Sequence, residues 1–340
     1  MSTQTPPGIR VDRLHIEVDD PDIKLGQSVP LVRDVSFTVG AGEMVGLAGE
    51  SGSGKSLTAS TISSLLPVGT RRNAGTVEVC GKEVAPDAIQ TAHEVAMIFQ
   101  NPMTSLNPSM RIGDQIAEAV RLRDKSISKK AAAAEAVDIL QRVDVTRPAE
   151  RAKQYPFEFS GGMRQRAMIG IAVAREPRVL IADEPTTALD VTVQKQVMDL
   201  IDRLRAEMGL AVLLISHDLG VISERCDRLL VMYAGELVEA GPTHAVLASP
   251  VHPYVDGLIR CIPERAMELG RLEPLPGQVP APDDALPGCR FADRCALVID
   301  ECRAGPVAFT PTTIAGREAR CVRWQDRVNG ELSVREGVPS

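Results

Sequence analysis

Aromatic residues are scarce: they make up 3% of the 340 residues, with a single tryptophan. A surface that stacks bases is therefore hard to assemble. Basic residues are not in excess either, since the net charge is −7 and the pI about 5.4. Both absences speak against a nucleic-acid binder. No uninterrupted apolar run approaches the roughly 18 residues that a membrane-spanning helix needs. The longest candidate, Ala167–Ala174, is closed by Arg166 and Arg175. The opening residues Met1–Gly8 are polar and proline-rich, without the apolar stretch of a signal peptide. A cytoplasmic protein is expected, and other subunits would have to cross the membrane if it acts at one. Cysteine is sparse over most of the chain. Cys80, Cys226 and Cys261 stand alone and read as small buried hydrophobes.

What is present is more specific. Hydrophobic residues make up 44%, enough for a sizeable core and too many for global disorder. The length suggests two domains, or one large domain with an appendage. No internal repeat is evident. The eight residues Gly49-Glu50-Ser51-Gly52-Ser53-Gly54-Lys55-Ser56 fit G-x-x-x-x-G-K-[ST], the phosphate-cradling loop of nucleoside triphosphatases. Its glycines let backbone N–H groups turn inward around phosphate oxygens. Lys55 can reach the β- and γ-phosphates, and the Ser56 hydroxyl can bind Mg²⁺. The context agrees: Met44–Ala48 is a short apolar run that reads as a buried strand, and Leu57–Leu66 has helical spacing.

Further along, Val11–Val18, Val35–Val39, Thr76–Val79 and Val95–Phe99 read as strands, and residues 111–145 as a mainly helical insert. Val179–Ala182 and Ala211–Ile215 are apolar runs flanked by helical segments, which implies a mainly parallel sheet covered on both faces. Beyond Ser249 proline becomes frequent, from Pro250 through Pro263 and Pro274 to Pro287, and periodicity fades. This tail reads as a separate small unit or an irregular extension.

The strand Val179–Ala182 ends in Asp183 and Glu184, where α/β sheets place their ligands. Asp183 can hold the Mg²⁺ shell, and Glu184 can polarise a water for in-line attack on the γ-phosphate. Ala211–Ile215 ends in Ser216-His217-Asp218, so His217 can hydrogen-bond the γ-phosphate. Ser160-Gly161-Gly162 opens a helical stretch with a good N-cap and free N–H groups, an anion site.

Together these motifs resemble the ATP-binding-cassette (ABC) ATPases. Walker A is Gly49–Ser56, the Q-loop glutamine is Gln100, and the signature is Ser160-Gly161-Gly162. Walker B is Val179–Asp183 followed by Glu184, the D-loop is Ala188-Leu189-Asp190, and the switch histidine is His217. The resemblance implies an α/β P-loop fold with a parallel-sheet core, an N-terminal antiparallel β-subdomain and a helical subdomain at about 102–165. It also implies ATP and Mg²⁺ as cofactors, with Ser56, Gln100 and Asp183 at the metal. Catalysis would fall to Glu184, His217 and Gln100, and a head-to-tail dimer would close each nucleotide between Walker A and the partner's signature and Asp190. In two respects the chain departs from the pattern. The aromatic that usually stacks on adenine has no counterpart ahead of Walker A, the first aromatic being Phe37. The signature begins with Phe159 instead of leucine and ends in Met163.

A narrower resemblance rests on Ile98–Pro108, Asp183–Thr192 and His252-Pro253-Tyr254, which are similar to the ATPase subunits of dipeptide and oligopeptide importers. It implies a cassette over 1–250 and a small irregular C-terminal extension over 251–340. It also implies two transmembrane permease subunits, a second similar ATPase subunit, an extracytoplasmic peptide-binding protein and no nucleic acid. The site of action would be the cytoplasmic face of a bacterial inner membrane, as a peripheral subunit. An importer of nickel or another small solute is the alternative, because related subunits share the cassette.

Four cysteines, Cys289, Cys295, Cys302 and Cys321, crowd the extension with spacing C-x5-C-x6-C-x18-C. Disulfides are disfavoured in a reducing cytosol, and the tight C-x2–4-C pairs of zinc sites are missing. Four thiolates can hold a 4Fe–4S cluster, and Arg290, Arg294, Arg303, Arg320 and Arg323 could offset its charge. Several peptide-importer ATPases resemble this chain in carrying such a set. A cluster is expected, with Zn²⁺, a disulfide or unliganded thiols as the alternatives.

Overall fold

The computed structural model describes residues 6–19, 28–85, 93–187, 189–262 and 275–330. Residues 1–5 and 331–340, Ala188 of the expected D-loop, and Pro263 and Pro274 of the proline-rich tail lie outside the described residues.

The first alternating stretch folds as expected into antiparallel structure. β1 (Ile9–Asp19) pairs with β2 (Ser28–Val39), Ile9 opposite Val39 and Leu14 opposite Val35. Buried positions pass from Val11 to Leu14, a step of three where a strand takes two. Arg13, at φ 46°, supplies the extra residue, and the register shifts there. β3 (Met44–Ala48) then leads into α1 (Lys55–Ile62), which ends before Leu65 and Leu66. β4 (Thr70–Val79) and β5 (Lys82–Glu83) complete a four-stranded sheet of order β2-β1-β4-β5.

The second sheet is assembled from more distant pieces. After β6 (Val95–Ile98) come α2 (Pro102–Ser105), α3 (Ile112–Arg123), α4 (Lys129–Arg142), α5 (Pro148–Arg151) and α6 (Gly161–Val173). In α4 the Ser128 hydroxyl accepts from the Ala131 amide, and Ala132, Ala136, Ile139 and Leu140 make one buried stripe. The chain continues through β7 (Val179–Asp183), α7 (Val191–Met208), β8 (Ala211–Ile215), α8 (Leu219–Arg225), β9 (Arg228–Tyr233) and β10 (Glu236–Pro242). Strands β9, β3, β8, β7 and β6 lie parallel in that order.

These central strands are apolar throughout because both faces are covered. Val45, Leu47, Val179, Ile181, Leu213 and Ile215 face a core shared with the antiparallel sheet and α1. Met44, Ala48, Leu180, Ala182, Val212 and Leu214 face the core built with the helices.

The mainly parallel core is as expected, and two further readings are refined. At one edge the large sheet becomes mixed, because β10 runs antiparallel to β9 and the edge continues through two strands of the C-terminal extension. After α9 (Thr243–Ala248) and α10 (Pro253–Arg260), β11 (Thr310–Pro311) and β12 (Glu318–Ala319) add to β10. The extension is thus irregular, as expected, but hydrogen-bonded into the cassette and not a separate unit. Finally, Cys226 is buried, whereas Cys80 and Cys261 are only partly so.

A buried ion pair anchors the extension. Arg317 donates to Glu239 Oε1 at 2.5 and 3.1 Å, and the amides of Val251 and His252 donate to the same carboxylate. The two side chains are 1% and 0% exposed. Removing one partner strands a buried charge. Arg317→Met is therefore expected to lower stability by about 3–5 kcal/mol in urea denaturation. A loss well under 1 kcal/mol would show that the extension is held elsewhere.

Candidate functional site

The loop between β3 and α1 is shaped by its glycines. Gly49 has φ +149°, and a Cβ there would lie 2.2 Å from the Met232 carbonyl oxygen. Gly54, at φ +100°, is the residue before the first turn of α1. The helix N-terminus behind it leaves N–H groups without helical partners, as an anion site requires. Lys55 folds back across the loop. Its ammonium donates to Gly49 O and Glu50 O, both at 2.8 Å, and to Ser53 Oγ at 3.2 Å. Burial lowers its pKa, against the opposing pull of Glu184, Asp183 and Glu50.

The carboxyl end of β7 faces this loop. Burial raises the Asp183 carboxyl above its ordinary value, although a hydrogen bond with Ser56 works the other way. Ser56 and Asp183 thus meet as paired hard oxygen donors and fit Mg²⁺. The next carboxylate takes a different direction. Glu184 has φ +47°, its amide donates to Ile215 O at 2.9 Å, and its side chain collects three partners. Gln100 Nε2 donates to Oε2 at 2.8 Å, Thr187 Oγ1 donates to Oε2 at 2.9 Å, and His217 Nδ1 lies 3.2 Å from Oε1. Burial pushes the Glu184 carboxyl up. The hydrogen bonds from Thr187 and His217, with the charges of His217 and Lys55, outweigh it and leave the pKa below its usual value. Gln100, expected at the metal, therefore has its amide on Glu184. Thr187 was not singled out by sequence, and its nearness to Glu184 in the chain was the available signal.

Ser160, Gly161 and Gly162 belong to a different cluster. The Ser160 hydroxyl accepts from the Met163 amide and caps α6. A Cβ on Gly162 would lie 2.7 Å from Val193 Cγ1, and one on Gly161 would lie 3.7 Å from Leu189. Asp190 caps α7 by accepting from the Val193 amide at 3.0 Å. The signature is thus built against the start of α7. Phe37 is 7% exposed within the core and offers no stacking platform for a base.

Sequence reading missed the reach of the extension. The Glu50 amide donates to the Tyr254 hydroxyl at 2.9 Å, and Arg294 holds the Glu50 carboxylate at 3.0 and 3.2 Å. Tyr233, Tyr254 and Phe291 pack together behind this contact, with centroids 4.6–5.4 Å apart. His252-Pro253-Tyr254, a pattern in the sequence, has a structural place here. His252 is buried, its Nδ1 accepts from the Tyr254 amide, and burial depresses its pKa to about 3.

Behind the aromatic cluster, Cys289, Cys295, Cys302 and Cys321 line one cavity of about 20 Å³ with His252 and Phe291. Burial pushes the Cys289 thiol up to about 11 and the Cys321 thiol up to about 12. Such thiols stay protonated unless a cation displaces the protons. The all-thiol donor set suits iron–sulfur or zinc chemistry. Among the described residues, however, no three His, Cys, Asp or Glu side chains are arranged to hold a metal ion. Of the five arginines expected to offset a cluster's charge, Arg323 lines the cavity. Arg290 donates to the Ala281 and Asp284 carbonyls, Arg294 pairs with Glu50, Arg303 with Asp293, and Arg320 with Asp34.

Two solved structures share this architecture. The ATP-binding cassette MJ0796, solved as a post-hydrolysis dimer bound to ADP and Pi, has a TM-score of 0.60 and is 21% identical, covering 69% of this chain and 98% of its own. CbiO1 from Clostridium perfringens, part of the transporter complex CbiONQ, has a TM-score of 0.60 at 20% identity, covering 71% and 91%. The fold is that of an ABC cassette. The model of the ABC transporter family matches residues 32–187, and that of the oligopeptide/dipeptide transporter C-terminal region matches 238–302. The oligopeptide transport ATP-binding protein AppD of Bacillus subtilis is 43% identical over 306 residues, 88% of this chain and 93% of AppD. The chain belongs to the ABC transporter ATPases that carry the oligopeptide/dipeptide C-terminal region, and proteins of this class use ATP with Mg²⁺.

The loop's shape is testable without ligand. Gly49→Ala combines a Cβ clash with a positive φ, and a loss of at least about 1–3 kcal/mol is expected in denaturant unfolding. Unchanged stability would mean that the loop does not require this conformation.

Proposed function

We propose that the chain is the ATP-hydrolysing subunit of a bacterial importer of di- or oligopeptides. The observation that carries this reading is the convergence of Lys55, Ser56, Asp183 and Glu184 at one end of the parallel sheet. Phosphoryl transfer asks for positioning and charge neutralisation more than covalent chemistry. Lys55 and the loop amides take the phosphates. Ser56 and Asp183 would hold Mg²⁺, which when bound neutralises phosphate charge. Glu184 stays ionised at neutral pH and accepts a proton from the attacking water, while Thr187 and His217 orient its carboxylate. Gln100 links Glu184 to the neighbouring surface. The oligopeptide/dipeptide C-terminal region, with the similarity to the oligopeptide transport ATP-binding protein AppD, supports peptides over nickel or another small solute.

Among the described residues no helix is long and apolar enough to cross a membrane. The proposed partners are two permease subunits, a second similar cassette and an extracytoplasmic peptide-binding protein, with this chain peripheral on the cytoplasmic face. Two exposed apolar side chains beside the Gln100 segment support a docking surface. Met103 and Phe157 are 57% and 67% exposed, and Arg164 touches both residues. In the dimer, Ser160, Gly161, Gly162 and Asp190 would serve the partner's nucleotide. Glu184→Gln is expected to retain MgATP binding and to lose turnover by about 10²–10⁴-fold in the assembled transporter. Normal steady-state turnover would remove Glu184 as the base.

For the four thiols we propose a 4Fe–4S cluster held by Cys289, Cys295, Cys302 and Cys321. The lining of one cavity by all four thiols supports it. Bound, such a cluster would staple a segment that has little core of its own. Anaerobically purified protein is expected to carry about four iron atoms per chain and a visible thiolate-to-iron band. A colourless protein with one zinc would overturn this assignment.

A further inference from the structure

The second residue of the phosphate loop is a glutamate. A carboxylate beside a site that receives a triphosphate opposes the ligand's charge. Here that charge is met by a residue 244 positions downstream. Arg294 Nη1 and Nη2 lie 3.0 and 3.2 Å from the two oxygens of Glu50, a bidentate fork. The Arg294 side chain is 6% exposed and that of Glu50 27%, so water screens the pair poorly.

Arg294 is itself fixed. Its Nε donates to Pro276 O at 2.8 Å and its Nη1 to the Tyr233 hydroxyl at 3.3 Å. The guanidinium lies 5.6 Å from the Tyr233 ring centroid and 5.8 Å from that of Phe291. It is carried on the short turn Ala292–Arg294, next to Cys295 and the four-thiol cavity. The Tyr254 hydroxyl takes the Glu50 amide, so both the backbone and the side chain of this one loop residue are held by residues beyond 250.

We propose that the C-terminal extension is a working part of the nucleotide site. Arg294 is a positioning residue: it cancels the Glu50 charge and, with Tyr254, holds the phosphate loop open to a triphosphate. The proposal rests on the reading of Gly49–Ser56 as the ATP loop. It differs from a merely structural anchor in one way that can be measured. An anchor lost twice is no better than an anchor lost once. An uncancelled charge is relieved when the charge itself is removed.

The experiment is equilibrium binding of a non-hydrolysable MgATP analogue to the full chain and to Arg294→Gln, Glu50→Gln and the double variant. Arg294→Gln is expected to weaken binding by about tenfold or more, and the double variant to recover to within about threefold of the parent. Glu50→Gln alone is expected to bind at least as tightly as the parent. Parent-like binding by Arg294→Gln, or a double variant no tighter than Arg294→Gln, would overturn the proposal. Should Arg294→Gln fail to fold, Glu50→Gln decides the matter, because a tenfold loss there would make Glu50 a ligand-supporting group instead of a charge to be cancelled. If the parent chain itself binds no analogue, the ATP reading falls, and this proposal falls with it.

Discussion

Much of this structure depends on a backbone loop that has to turn its amides inward while wrapped around a buried cation. Lys55 accomplishes the wrapping by donating to the carbonyls of Gly49 and Glu50 from within its own loop. The shape is open only to residues that tolerate positive φ without a Cβ, which Gly49 and Gly54 satisfy against Met232 and Val32. Everything that meets the loop is placed relative to that geometry. β3 ends where the loop begins, β7 delivers Asp183 to Ser56, and β9 supplies the carbonyl that packs on Gly49.

Adjacent carboxylates with divergent surroundings are the second organising feature. Asp183 and Glu184 are neighbours in sequence, yet burial raises one and hydrogen bonds lower the other. The left-handed conformation at Glu184 separates them, sending one side chain to Ser56 and the other to Thr187, Gln100 and His217. Two acids in one site are thereby given distinct environments, a division of labour that phosphoryl transfer can use.

The extension is joined to the cassette at two levels. Arg317 and Glu239 secure it through a buried pair, and β12 continues the sheet edge beside β10. Arg294 and Tyr254 then carry the contact to Glu50. Between these levels lie the aromatic cluster and the four thiols. A proline-rich, irregular segment is held here in part because two of its aromatics, Tyr254 and Phe291, pack against Tyr233.

Local pattern was enough to read the phosphate loop, β1, β7 and β8, the cap at Ser160 and the paired carboxylates. Each is set by neighbours within a few residues, through strand alternation, glycine permissiveness or capping chemistry. The strands β9 and β10 were not singled out by sequence; β10 carries the buried Glu239 and so does not stand out as an apolar run. The partners of Gln100, the burial of Phe37, the convergence of four cysteines on one cavity and the pairing of Arg294 with Glu50 were decided by tertiary structure alone. These contacts join residues up to 244 positions apart. No local propensity encodes such a distance, because only the order in which strands assemble into a sheet brings those side chains within reach of one another.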